Sequence, residues 1–261
     1  MRELLLTIDD SPSPDTDELV EFLLVEEIPA ILFCRGDRLE KNPDPVVRAV
    51  ERGFVAANHA FNHRRASTLA LAEAQEEIRT TEKLLDDVYK AAGVTRTKRY
   101  FRFPHMDRGA GGWIVDYDAK PQYSQTLRAL FADGLNITLD PPSAEMIEKK
   151  QGLQEFLKRE GFLPLPAQGI THEWFKATEC ATAIDAMFTF STSDWMLTQR
   201  HVGKWPYKSI SDLQDKIDND PWLGVEQSDN IVLAHDQPET LPFVKDLMRH
   251  FKGRQFSFKP V

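Results

Sequence analysis

The stretch Leu4-Leu5-Leu6-Thr7-Ile8-Asp9-Asp10-Ser11-Pro12 decides the fold. Residues 4–8 carry no charge and do not alternate apolar with polar, so they read as a strand buried on both faces, as in a parallel sheet. Ser11-Pro12-Ser13-Pro14 ends that strand with turn formers. Residues 15–26 then place Leu19, Phe22, Leu23 and Val25 at helical spacing. Ala30-Ile31-Leu32-Phe33-Cys34 is strand-like, a helix is expected from about 43 to 51, and Phe54-Val55-Ala56-Ala57 is strand-like again. Strand and helix in alternation predict βαβ units with parallel strands.

Further along, a long helix is expected over about 68–92, stopped by Gly93, with Arg99-Tyr100-Phe101-Arg102-Phe103 as the next strand. Late strands are expected over 186–190, 230–234 and 255–258, with a helix over 240–251. From 108 to 185 the alternation loosens. Gly109-Ala110-Gly111-Gly112 opens that region, Asp140-Pro141-Pro142 and Pro164-Leu165-Pro166 punctuate it, and helices are expected near 122–132 and 144–160. The chain therefore reads as a single α/β domain over 1–261 with residues 108–185 inserted between the fourth strand and the late strands.

A chain of 261 residues suits one large α/β domain. Its net charge of −9 lacks the basic footprint that nucleic acid or an anionic membrane surface requires. Cys34 and Cys180 offer neither a disulfide framework nor a CxxC metal site, and both are expected reduced and at least partly buried. No apolar run is long enough to span a membrane. Met1-Arg2-Glu3 leads straight into the first strand, so with Met1 as the native start the protein is expected in the cytoplasm. A trimmed signal peptide would instead make it secreted or periplasmic.

The chemistry gathers just after the expected strands. Asp9 and Asp10 end the first, His59 and His63 follow the third, Arg102 ends the fourth, Asp194 follows Phe190, and His235 follows Val232-Leu233-Ala234. Sites in parallel α/β folds collect at the C-terminal ends of strands, where the loops converge. Alone, Asp9-Asp10 would mark a turn or a helix cap. Together with Asn58-His59-Ala60-Phe61-Asn62-His63 it makes one carboxylate plus two imidazoles, a divalent-metal ligand set with room for water, and a second carboxylate to take that water's proton. The spacing of the two histidines is that of one helical turn, which would point both rings the same way. His172-Glu173 lacks the second histidine of a zincin motif and reads as structural, and Trp113, Tyr117 and Trp174 are expected in the core.

In order, Thr7-Ile8-Asp9-Asp10-Ser11-Pro12, Asn58 to His63, Phe101-Arg102-Phe103-Pro104-His105, Ser193-Asp194-Trp195 and Leu233-Ala234-His235-Asp236 resemble the five motifs of the polysaccharide deacetylases, the NodB-homology domain of carbohydrate esterase family 4. Ile8 and Ser11 stand where that family has Phe and Gly, and Phe103 and His105 where it has Pro and Tyr. The resemblance covers roughly 2–107 and 186–258. It implies a distorted (β/α)7–8 barrel and metal-dependent removal of N-acetyl groups from an amino sugar. Asp10, His59 and His63 would bind the metal, Asp9 would be the general base held by Arg102, and His235 the general acid tuned by Asp194. His105, Trp195 and Leu233 would line the substrate cleft, with the backbone N–H of His105 as an oxyanion donor and Leu233 beside the acyl methyl. Zinc suits the ligand set best, with cobalt, nickel, manganese or iron as alternatives. The absence of a visible leader also admits a deacylase or amidase on a small or cyclic amide. A carbohydrate-binding module without catalysis is the third reading.

Overall fold

The computed structural model describes residues 2–133 and 139–261; Met1 and residues 134–138 of the expected insertion lie outside the described residues. In chain order the elements are β1 (Arg2–Ser11), α1 (Thr16–Val25), β2 (Ala30–Cys34), α2 (Gly36–Leu39), α3 (Asp44–Glu51), β3 (Val55–Asn58) and α4 (Leu71–Ala91). They continue as α5 (Pro121–Ala132), α6 (Ala144–Arg159), α7 (Glu173–Lys176), β4 (Phe190–Ser191), α8 (Ile210–Asn219), β5 (Asn230–His235), α9 (Leu241–Gly253) and β6 (Phe256–Phe258). The sheet runs β3-β2-β1-β5-β4 with all pairings parallel. β6 pairs with Arg2 to Leu4 of β1, ahead of the point where β2 joins at Leu6.

Two expected strands are shorter than the sequence implies, and both lie where the sheet closes on itself. Residues 99–103 form a single bridge, Phe101 to Asn58, rather than a ladder. Asn58 N–H donates to the Tyr100 carbonyl at 2.9 Å and Arg102 N–H to the Asn58 carbonyl at 3.0 Å. Pro104, which has no N–H to donate, stops further pairing. On the other side Ala186 N–H donates to the Phe101 carbonyl at 2.6 Å, which carries the ring from β3 towards β4. The expected strand at 186–190 contracts to β4 because the Thr189 hydroxyl, not a backbone carbonyl, accepts the Ile231 N–H at 2.9 Å. The result is a distorted (β/α) barrel with an irregular seam.

Strand periodicity sorts the core into an outer and an inner set. Leu4, Leu6 and Ile8 of β1, Leu32 of β2 and Val232 of β5 pack outward against Leu19 and Leu23 of α1, Val46 of α3 and Val244 and Leu247 of α9. Leu5, Ile31, Phe33, Ala57 and Leu233 face inward. Their partners come from residues 108–185: Trp113, Tyr117, Leu127, Trp174 and Phe175 are buried with them. A third cluster joins Ala74 and Ile78 of α4 to Leu153, Phe156 and Leu157 of α6. Both cysteines are buried and unpaired. Among the described residues, no helix is long and apolar enough to cross a membrane.

Candidate active site

Adjacent residues on a strand point to opposite faces, so two neighbouring carboxylates can serve one site only if the strand is interrupted between them. β1 is interrupted there. Its register against β2 runs Asp9 to Phe33 and then Ser11 to Cys34, which leaves Asp10 as the extra residue of a bulge. Asp10 has φ of 71°, a left-handed conformation that aspartate tolerates better than most residues. Arg38 secures the bulge, its Nη1 donating to the Asp10 carbonyl at 2.5 Å and to that of Asp236 at 3.3 Å. Below it, the Asp236 carboxylate accepts hydrogen bonds from Ser11 Oγ at 2.9 Å and from Ser13 Oγ and Thr16 Oγ1 at 2.5 Å. Burial raises the pKa of Asp236, opposed by those three hydroxyls.

His59 and His63 do not lie on a helix, contrary to the spacing argument. They sit in a loop after β3 in which Ala60 has φ of 57° and His63 φ of 55°. The Asn58 side chain shapes that loop: its Oδ1 accepts the Ala60 N–H at 2.8 Å, and its Nδ2 donates to Glu82 of α4 at 2.9 Å. His105 and Ser193 are left-handed too, with φ of 56° and 57°. Backbone of this kind costs roughly 1–3 kcal/mol per residue and persists where the surroundings enforce it, which is characteristic of functional sites.

Gly36 holds the same loop from below. Its N–H donates to the Ala60 carbonyl at 2.9 Å. A Cβ there would come within 2.4 Å of both Phe61 Cδ2 and Thr81 Oγ1, and within 3.0 Å of Phe61 Cα. Gly36→Ala is expected to destabilise the protein by about 1–3 kcal/mol and to displace the histidine loop. Denaturant unfolding measures it; a loss below about 0.5 kcal/mol would mean that the loop yields freely.

The structure brings the three expected ligands together. Ligand atoms of Asp10, His59 and His63 all lie within 4.8 Å of one another. Asp10 Oδ1 is 3.0 Å from His63 Nε2 and 3.9 Å from His59 Nε2, yet this buried oxygen has no aligned hydrogen-bond donor. An orphaned carboxylate oxygen facing two imidazole nitrogens suits a cation. The tautomer of His59 agrees: its Nδ1 lies 2.9 Å from the Arg102 carbonyl, which can only accept, so Nδ1 carries the proton and Nε2 keeps its lone pair. Burial lowers the His59 pKa to about 4, against the opposing pull of Asp9, and keeps the ring neutral. Asp10 stays well below the usual carboxylate range, because the close approach of His63 and the charges of His63, His59 and His235 overcome the effect of burial. The residues fit a divalent ion.

Asp9 stands beside this set. Its Oδ1 accepts from Arg102 Nη1 at 2.8 Å, while its Oδ2 lies 3.7 Å from His59 Nε2. Arg102 is fully buried; it also donates to Thr7 Oγ1 at 2.9 Å and from Nε to the Ala186 carbonyl at 3.0 Å, and it packs over the Phe33 ring. His235 is the sheet neighbour of Asp9. Its Nδ1 lies 2.9 Å from Asp194 Oδ1, and its backbone N–H donates to Asp194 Oδ2 at 3.1 Å. Burial would lower the His235 pKa, but the charge and hydrogen bond of Asp194, followed by the charges of Asp9 and Asp10, raise it to about 9. The arrangement therefore places a cluster suited to a cation beside a held carboxylate and an imidazole whose pKa is raised.

The expected cleft residues sit less uniformly. The His105 ring lies 4.4 Å from that of His63, beside the ligands. Trp195, next to Asp194, packs against His201 and Trp205 with ring centroids 5.0 and 5.6 Å away. Leu233 is buried in the inner core two residues before His235. His172 is buried with its Nε2 2.9 Å from Asn230 Oδ1 at the start of β5, a structural position as expected. Sequence reasoning missed Gln237, whose Nε2 donates to Asp10 Oδ2 at 2.6 Å, and Arg35, 3.9 Å from Asp10 Oδ1. Gln237 follows the fifth motif directly, and that adjacency was the available signal.

Comparison with known proteins agrees with this geometry. Residues 1–111 match the family described as polysaccharide deacetylase. A chitooligosaccharide deacetylase of Rhizobium leguminosarum bv. trifolii is 28% identical over 116 residues, 44% of this chain and 49% of that protein. The chain thus spans about half the length of that relative. Among solved structures, a family 4 carbohydrate esterase from Streptomyces lividans, in complex with acetate, superposes with a TM-score of 0.57 at 18% identity, covering 98% of this chain and 91% of the other. A family 4 pseudoenzyme from Bacillus anthracis superposes with a TM-score of 0.57 at 13% identity, covering 100% of this chain and 64% of the other. One fold thus carries both an esterase and a pseudoenzyme, so the side chains must decide the activity.

Proposed function

With residues 1–111 matching the polysaccharide deacetylase family, we propose that the chain is a metal-dependent hydrolase that removes N-acetyl groups from an amino-sugar-containing carbohydrate. The observation that carries the reading is the division of the aspartate pair. Asp10 presents an orphaned oxygen to two imidazoles, whereas Asp9 has one oxygen fixed by Arg102 and the other free beside the cluster.

Asp10, His59 and His63 would hold the ion, with zinc favoured by their oxygen and nitrogen donors. Bound there, a divalent ion supplies Lewis acidity, making water acidic enough to lose a proton near neutral pH and polarising the amide carbonyl. Asp9 Oδ2 accepts the proton of the attacking water, and Arg102 keeps the carboxylate aimed. An amine leaves a tetrahedral carbon poorly unless protonated, and His235 Nε2 supplies that proton while Asp194 holds Nδ1. His105, Trp195 and Leu233 are assigned to the substrate cleft. The chain is read as one catalytic unit into which residues 108–185 are built, since their aromatic side chains fill the inner core.

Release of acetate from N-acetylated chitooligosaccharides tests the reading. Zinc-loaded protein is expected to release acetate, and chelation should abolish it. Metal-loaded protein that binds these sugars without releasing acetate would overturn it in favour of a binding module. Turnover of a small or cyclic amide, with none of acetylated sugars, would overturn the substrate class and keep the mechanism.

A further inference from the structure

Next to the acid pair lies a charged network that the proposed mechanism does not use. Lys216 of α8 donates from Nζ to Asp133 Oδ1 and Ser193 Oγ at 2.5 Å, and to the Ser191 carbonyl at 2.8 Å. Ser193 Oγ also donates to Asp133 Oδ1 at 2.5 Å, and Ser191 Oγ to Asp133 Oδ2 at 3.3 Å. The Lys216 ammonium lies over the rings of Phe190 and Tyr207 at 5.1 and 5.0 Å. Asp133 caps α5, and Lys216 stands on a helix between β4 and β5, so two separate elements converge on residues 191–193.

That convergence has a geometric result. Ser193 is fully buried and left-handed, with φ of 57° and ψ of 20°. Its conformation sets the direction in which the chain delivers Asp194. Asp194 in turn is fully buried and meets both the ring and the backbone N–H of His235. Hydrogen bonds lose strength steeply with misalignment, so a small rotation at Ser193 would break this two-point contact. A half-buried lysine and aspartate, joined to each other and to Ser193 by short charged hydrogen bonds, hold that residue far more firmly than its own backbone preference would.

We infer that Lys216, Asp133 and Ser193 form a positioning clamp that aims the Asp194 carboxylate at His235. Lys216 and Asp133 are positioning residues: they touch neither substrate nor the reacting atoms, and they act through Asp194. The inference rests on His235 as the proton donor of the proposed reaction, but the contact itself is measurable without substrate.

The test is an NMR titration of His235 in zinc-loaded wild-type protein and in Lys216→Met. The charged groups facing His235 are Asp194 after β4 and Asp9 and Asp10 on β1; those facing Lys216 are Asp133 and Asp220. Removing a cation would by itself raise a nearby imidazole pKa, whereas losing the Asp194 contact lowers it. The sign therefore separates the two effects. A fall of about one unit is expected in Lys216→Met, restored in part by Lys216→Arg. An unchanged or raised value, with only a lowered melting temperature, would overturn the clamp and leave a purely structural network. If Lys216→Met does not fold, Asp133→Asn, which keeps shape and removes charge, carries the same comparison through the loss of the His235 Nδ1 proton signal. An absence of deacetylation in every protein would count against the proposed function and leave this titration valid.

Discussion

Asp9→Asn is expected to bind metal as the wild type does and to lose about 10²–10⁴-fold in kcat. The amide keeps the size of the carboxylate and removes its capacity to take a proton. Asp9 lies outside the cluster of three convergent ligand atoms, so the ion keeps its donors. The exchange also leaves Arg102 Nη1, 2.8 Å from Oδ1, with an oxygen to bond. Asp10→Ala should do the opposite: it removes one of the three donors, and metal affinity should fall together with turnover. Zinc titration and acetate release on the same preparations separate these outcomes. Native turnover by Asp9→Asn would show that the two aspartates are misassigned.

The second large effect concerns Asp194. With His235 raised to about 9, its ring is protonated at neutral pH, and activity should fall as pH rises through that value. A bound cation pulls the other way, so the alkaline limb is expected at or below 9. Asp194→Asn removes the charge that does most to raise the His235 pKa. The limb should then move down by about 1–2 units, with activity near pH 8 reduced about two- to tenfold for a limb that starts at 9. The same shift bears on stability. A folded pKa above the usual 6.5 contributes stability that is complete below that value and lost as pH rises through about 9. Wild-type stability should therefore decline across this window more steeply than that of Asp194→Asn. A pH–rate profile with an unmoved alkaline limb would remove Asp194 from the acid pair.

Much of the barrel is legible in the sequence because burial on two faces leaves a plain mark. Residues 30–34 read as a strand and form β2 with those bounds, and β1 is recognisable by its apolar centre while extending to Arg2 and Ser11. The seam is not legible. Nothing in Arg99 to Phe103 says that only Phe101 will pair, because Pro104 sets that limit from outside the stretch, and nothing in Ala186 to Phe190 says that the Thr189 hydroxyl will take the Ile231 N–H. At the site, residue types and order point to the ligands, but not to the way the chain presents them. The histidine spacing suggests a helix, and an Asn58-capped loop with two left-handed residues stands there instead. Strand periodicity alone would turn Asp10 away from Asp9. Lys216 and Asp133 reach their positions only through tertiary folding, so no local pattern announces them, whereas Gln237 directly follows the fifth motif.

Arg102 joins two matters that enzymes commonly keep apart. Its guanidinium fixes the oxygen of Asp9, and the same group ties the Ala186 carbonyl, at the seam where one bridge stands in for a strand. The proposed proton acceptor and the closure of the barrel thus share one fastening. Any breathing of the seam would be felt as a change in the aim of Asp9 before it was felt as unfolding.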